Sequence, residues 1–143
     1  MRPIRPAGAR AYPTQAFLDA SIAHGELFLA SWTACSPVVW CSTMRITTAT
    51  RPSPGPDVPD AQLLVIHALG VHPAAAGASR SAVQYAIGTA RSQGCRALRL
   101  DVLGGNVPAE RLYTGQGFAR RGTVRMFYDD TGWTDYGLYE YLL

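Results

Sequence analysis

The chain has 143 residues, 48% of them hydrophobic and 16% charged, a balance that fits one folded domain and excludes intrinsic disorder. No apolar run reaches the ~18 residues of a membrane-spanning helix. The opening "MRPIRPAGAR" lacks the apolar core of a secretory signal, so the expected location is the cytoplasm with no membrane contact. All 13 basic residues are Arg against 10 acidic ones, giving a formal charge of +3. They are scattered in runs of at most two, which suits a phosphate-bearing small partner better than nucleic acid, for which only the pI of about 9.0 speaks. Cys35, Cys41 and Cys95 form no C-x-x-C pair and read as small buried hydrophobes, so no metal is expected.

In chain order, "AYPTQAFLDASIAHG" predicts a helix capped by Thr14, with Phe17, Leu18 and Ile22 on one face and Gly25 closing it. "ELFLASW" and "VVWCSTMRI" read as two strands whose five intervening residues, "TACSP", suggest a hairpin. Residues 47–60 carry four prolines and read as a loop. "QLLVIHALGV" is apolar throughout, as in a central strand covered on both faces. It leads into a helix with Ala82, Ala86 and Ala90 every fourth residue, ending at Gly94. "CRALRLDVL" alternates, with Leu98, Leu100 and Val102 on one face and Arg99 and Asp101 on the other. A short helix over "NVPAERLYTGQGF" follows, capped by Asn106 and ended by Gly117, then strands through "GTVRMFY" and "DYGLYEYLL". The order predicts a mixed α/β domain, residues 1–143, with strand-helix-strand units at its centre.

Two stretches carry candidate chemistry. At the strand-to-helix junction, Ala76, Gly77, Ala78, Ser79, Arg80 and Ser81 would let a phosphate or pyrophosphate approach free helix amides. The same small residues also serve an ordinary strand-helix turn. In the second stretch, Tyr113 follows core-facing Leu112, so its hydroxyl could reach a cleft between the central strands or merely be the wet tip of a packed ring.

Residues 62–123, with "LDV", "N-x-P-A-x-x-LY-x-x-x-GF" and "L-x-V-H-P" in register, resemble the core of the GNAT superfamily of N-acetyltransferases. The resemblance implies a mostly antiparallel sheet with one splayed parallel pair, flanked by helices. It implies acetyl-CoA as cofactor and an amine of a small molecule or peptide as acceptor. It places Leu69 and Val71 at the amides that hold the pantetheine arm and thioester oxygen. It also assigns Asn106 to cofactor contact and Tyr113 to protonation of the departing thiolate. The family's pyrophosphate loop has Arg or Gln and two small residues where this chain has Ala76, Ser79 and Ser81, with Arg80 available for charge. His67, ahead of the expected bulge, is the candidate base or else a hydrogen-bonded core histidine. Tyr128, Asp129, Asp130, Trp133 and Asp135 cluster near the last turn and suit a cationic amine. The residues before the hairpin are too few for the family's first strand and helix, which predicts an open sheet edge along residues 26–32 and a homodimer through it. The alternative function is a degenerate, non-catalytic binding module.

Overall fold

A computed structural model describes residues 14–31, 37–43, 56–71, 77–128 and 131–143, with backbone alone at 29–31, 37–43, 68 and 71. Ala76, Asp129, Asp130 and most of the proline-rich loop lie outside the described residues. The elements follow the expected order. They are α1 (Gln15–Ala23), β1 (Leu27–Ser31), β2 (Pro37–Thr43), β3 (Leu63–Val71), α2 (Ala78–Ser92), β4 (Ala97–Leu103), α3 (Val107–Gly115), β5 (Ala119–Tyr128) and β6 (Gly132–Leu142), with one 3-10 turn at Asp60–Gln62. No described helix is long and apolar enough to cross a membrane.

The helix boundaries have local causes. Thr14 Oγ1 accepts the Phe17 amide at 3.2 Å and starts α1. Asn106 Oδ1 accepts the Ala109 amide at 3.3 Å and starts α3, whose first turn holds Pro108. Helix α2 stops ahead of Gly94, whose φ of 73° continues no helix. One expectation for α1 fails: Ile22 is 61% exposed, and the buried residue is Ser21, whose hydroxyl donates to the Phe17 carbonyl. A face that holds Phe17 has no room for Ile22 because the two are five positions apart, well round the helix.

Six strands form one sheet in the order β1-β2-β3-β4-β6-β5. Every pair is antiparallel except β3 with β4, which run parallel. That parallel ladder holds only from Leu63 opposite Ala97 to Ile66 opposite Leu100. Beyond it β3 runs on to Val71 and β4 to Leu103 without pairing, so the two strands splay. Among the described residues, strands β1 and β5 are the two edges of the sheet, each with a partner on one side only.

The larger core lies on the α2 and α3 side. Leu64, Ile66, Leu98, Leu100 and Val102 pack there against Val83, Ala86 and Ile87 of α2 and against Tyr113 and Phe118. The opposite face holds a smaller cluster of Val58, Leu63, Val65 and Ala97. Helix α1 lies on this second side, where the Phe17 ring meets His67 edge-on at 6.2 Å. Strand β3 carries one extra residue relative to β2, since Ser42 pairs with Ile66 and Cys41 with Ala68. His67 is that residue. It therefore sits in the bulge itself, where the sequence reading placed it just ahead. A bulge shifts the two-residue alternation by one, which returns Leu69 to the α2 face, where it packs on the larger core.

Candidate active site

Strand β4 has β3 on one side and β6 on the other, so a carboxylate on it is enclosed unless a gap opens. Asp101 is the first residue past the end of the parallel ladder. It lies on the face of Ala97 and Arg99, and burial pushes its carboxyl up to about 6. From the opposite face, Tyr113 of α3 packs its ring on Phe118 at 5.5 Å, leaving 7% of the residue exposed. Burial, and after it the Asp101 charge, pushes the Tyr113 hydroxyl up to about 12. At this level no backbone ladder joins β3 and β4.

Both polar ends are unpartnered. Among the described residues, neither the Asp101 carboxylate nor the Tyr113 hydroxyl has a hydrogen-bond or ion-pair partner. Neither is sealed in, for the one fully enclosed unsatisfied side-chain atom among the described residues is Gln62 Oε1. Buried polar groups in a folded protein are nearly always satisfied. Two such groups left open on either side of one gap make this the candidate site.

The remaining residues singled out in the sequence fall into three groups. Gly77 caps α2 in a left-handed conformation, φ 87°, and supplies no side-chain cap, so among the described residues no side chain bonds the first amides of that helix. Ala78 is buried, Ser79 half-buried, and Arg80 and Ser81 are exposed, so this end offers amides, hydroxyls and one guanidinium to an anion. Asn106 is exposed; its Oδ1 is spent on the cap, which leaves its amide nitrogen for another partner. Leu69 and Val71 lie on the stretch of β3 past the parallel ladder, where the edge toward β4 is open. His67 is half-buried beside them.

The structure divides the hairpin residues instead of gathering them. Tyr128 stacks edge-on with Tyr136 at 5.1 Å, and Tyr136 reaches Thr131 Oγ1 at 2.9 Å. Tyr136 is two residues from Leu138, the partner of Asp101 in the β4–β6 register, so this pair shares the Asp101 face. Trp133, 66% exposed, belongs with Phe127 on the other face, that of Tyr139, at 5.8 Å between rings. On the Asp101 face, Glu140 binds two arginines, accepting from Arg99 Nε at 2.7 Å and from Arg121 Nε at 3.0 Å. Asp101 itself was read from the sequence only as a strand residue sharing a face with Arg99. The signal for it was a carboxylate inside a strand otherwise buried on both faces.

The sequence model of the Acetyltransferase (GNAT) family matches residues 16–118. The chain belongs to that family. Among solved structures, an acetyltransferase of Bacillus subtilis in complex with CoA is similar at a TM-score of 0.64, with 18% identity over 93% of this chain and 86% of that one. A GNAT-family acetyltransferase of Listeria monocytogenes superposes at 0.66, with 18% identity over 88% and 69% of the two chains. NAA60 of Arabidopsis thaliana, in complex with a bisubstrate analogue, gives 0.57 and 21% over 76% of this chain. The chain spans 64% of that plant protein. No curated protein matches the sequence. These likenesses carry the GNAT fold: a mixed sheet with one parallel pair between helices.

Proposed function

We propose that this GNAT chain moves an acetyl group from acetyl-CoA directly to an amine of a small molecule or peptide, in the cytoplasm. Asp101 receives the amine proton and Tyr113 faces the departing sulfur. The observation that carries this reading is the pair of open, unpartnered groups, a carboxylate and a phenol, on either side of the β3–β4 gap. Asp101 is preferred to His67 as base because its carboxylate is unengaged, whereas the His67 ring packs on Phe17.

The cofactor, when bound, supplies an activated thioester carbonyl. The described residues fit it: the uncapped start of α2, with Ser79, Arg80 and Ser81, suits its pyrophosphate. The open edge at Leu69 and Val71 suits the pantetheine arm, and the Asn106 amide nitrogen is free to donate to it. At neutral pH Asp101 is mostly ionised and accepts the proton that the amine nitrogen loses on bonding to the carbonyl carbon. Tyr113 holds its proton throughout this range and donates a hydrogen bond to sulfur as the carbon-sulfur bond breaks. The Tyr128–Tyr136 stack forms one wall on the acceptor side. Trp133 lies outside that wall and is assigned to the rim of the hairpin. The open edge of β1 is the surface for a homodimer.

Calorimetric titration with acetyl-CoA, followed by CoA release with a panel of amines, tests the reading. Micromolar binding with turnover that Asp101→Asn lowers by roughly 10²–10⁴ is the expected result. Binding without turnover on any amine, or no binding at near-millimolar cofactor, would sink acetyl transfer and leave the non-catalytic module.

A further inference from the structure

We infer that Tyr141 is a positioning residue for Tyr113, acting through Phe118 at the end of α3; this rests on the acetyl-transfer reading above. Helix α3 has nine residues, and Tyr113 is the one among them that is buried. So short a helix has little stability of its own and takes its orientation from tertiary contacts. The direction of the Tyr113 ring is therefore set where α3 stops and by what packs there.

That stop is built around Tyr113. Gly117, at φ 97°, turns the chain left-handed. Its amide donates to the Thr114 carbonyl at 3.1 Å, and the Phe118 amide donates to the Tyr113 carbonyl at 3.1 Å. In this pattern the residue after the glycine folds back onto the last helical turn. Here that residue is the buried Phe118, and it meets the Tyr113 ring edge-on at 5.5 Å. Phe118 packs in turn on Tyr141 of β6, at 5.3 Å between rings. Tyr141 also lies against Gly117, where a Cβ would meet its ring at 3.1 Å. The missing side chain at 117 is what lets Tyr141 come this close.

Helix α2 holds the same end of α3. Gln84 donates its side-chain amide to Oε1 of Gln116, the residue that ends α3. Arg91 donates to the Tyr141 hydroxyl at 3.4 Å, a long and exposed bond that adds little to the ring contacts. The start of α2 carries the amides assigned above to the pyrophosphate. One helix thus bears on the cofactor at its start and, further along, on the end of α3 that aims the phenol. Tyr141 stands opposite Leu98, at the level of the closed parallel ladder, so its influence reaches the open half through Phe118 and Tyr113. Without the Tyr141 ring, Phe118 and Tyr113 have room to swing. A misplacement of about 1 Å at a reacting group costs on the order of 10²-fold in rate.

CoA release measured over a double-mutant cycle tests this, with the natural chain, Tyr141→Leu, Tyr113→Phe and the two combined. Tyr141→Leu should lower kcat about tenfold and leave KM for both substrates within about twofold, whereas Tyr141→Phe, which keeps the ring, should stay near the natural rate. In the Tyr113→Phe background, Tyr141→Leu should cost nothing further, because the group it positions is gone. Acetyl-CoA affinity checks each variant as folded; Tyr141→Met, which fills similar space without a ring, runs the same cycle if Tyr141→Leu does not fold. Equal losses in both backgrounds, or a loss confined to KM, would overturn the positioning role and leave acetyl transfer standing. An unchanged kcat in Tyr113→Phe alone would overturn it together with the role given to Tyr113. If the natural chain does not bind acetyl-CoA, acetyl transfer falls with it.

Discussion

The two halves of the β3–β4 pair are built from the same strands and do opposite jobs. In the first half, Leu63–Ile66 and Ala97–Leu100 face each other across the parallel ladder, and none of these residues is more than 6% exposed. In the second half, the ladder is gone, Asp101 and Leu103 are half-buried, and Gly70 is exposed. Where backbone groups bond one another, side chains of both faces can be sealed into core. Where they stop, the gap leaves the Asp101 carboxylate partly open, the place proposed above for the ligand. Core and site are thus one continuous pair of strands, divided by where the hydrogen bonds end.

Substitutions on either side of that division should sort cleanly. Asp101→Asn, in the open half, should lower kcat/KM by roughly 10²–10⁴ in steady-state assays while acetyl-CoA still binds in calorimetry. Leu98→Ala, in the sealed half, should cost about 2–5 kcal/mol in denaturant unfolding, because Leu98 is 0% exposed and its loss leaves a cavity. An effect of Leu98→Ala on rate alone, with no loss of stability, would break the division.

Asp101 gives a second, opposite readout. Its pKa is raised in the folded chain, so the fold binds the proton more readily than the unfolded chain does. The group therefore weakens the fold above a pH of about 6, and that penalty is relieved as pH falls through about 6 toward the ordinary carboxylate value near 4. Asp101→Asn should accordingly be about 1–2 kcal/mol more stable than the natural chain at pH 8, with the gain shrinking by pH 5. Activity should fall on the acid side with a midpoint near 6 and show no alkaline loss from Tyr113, whose hydroxyl titrates near 12. The smallest effect belongs to neither half. Gly88→Ala, on an open helix surface with nothing within 4 Å, should add about 0.5–1 kcal/mol without touching rate.

The fold was legible because its elements announce themselves locally. Thr14 and Asn106 mark helix starts, and the apolar run through "QLLVIHALGV" marks a strand covered on both faces. Tyr113 was legible by resemblance, since its motif is specific. Asp101 was not, because alternation on a strand reads a polar residue as solvent-facing. It is only the position of β4 between two neighbours that makes this one enclosed. The facing of Tyr128 and Trp133 was hidden for a related reason: the register of β5 on β6 decides which face each takes. Gly104 shows the same limit. Its neighbour Gly105 is marked by a φ of 84°, but Gly104 is needed because a side chain would meet the Asp135 carbonyl at 2.9 Å, a contact 31 positions away in sequence.

The bulge at His67 has an evolutionary corollary. Chain length at that point, and not side-chain chemistry, determines that Leu69 faces α2, since loss of one residue would turn it to the other side of the sheet. A substitution at 67 leaves that count untouched. Among descendants of a common ancestor, an insertion or deletion beside this residue is therefore the change that would close or re-aim the cleft. Gaps in an alignment near position 67 would separate working lineages from lapsed ones better than the amino acid found there.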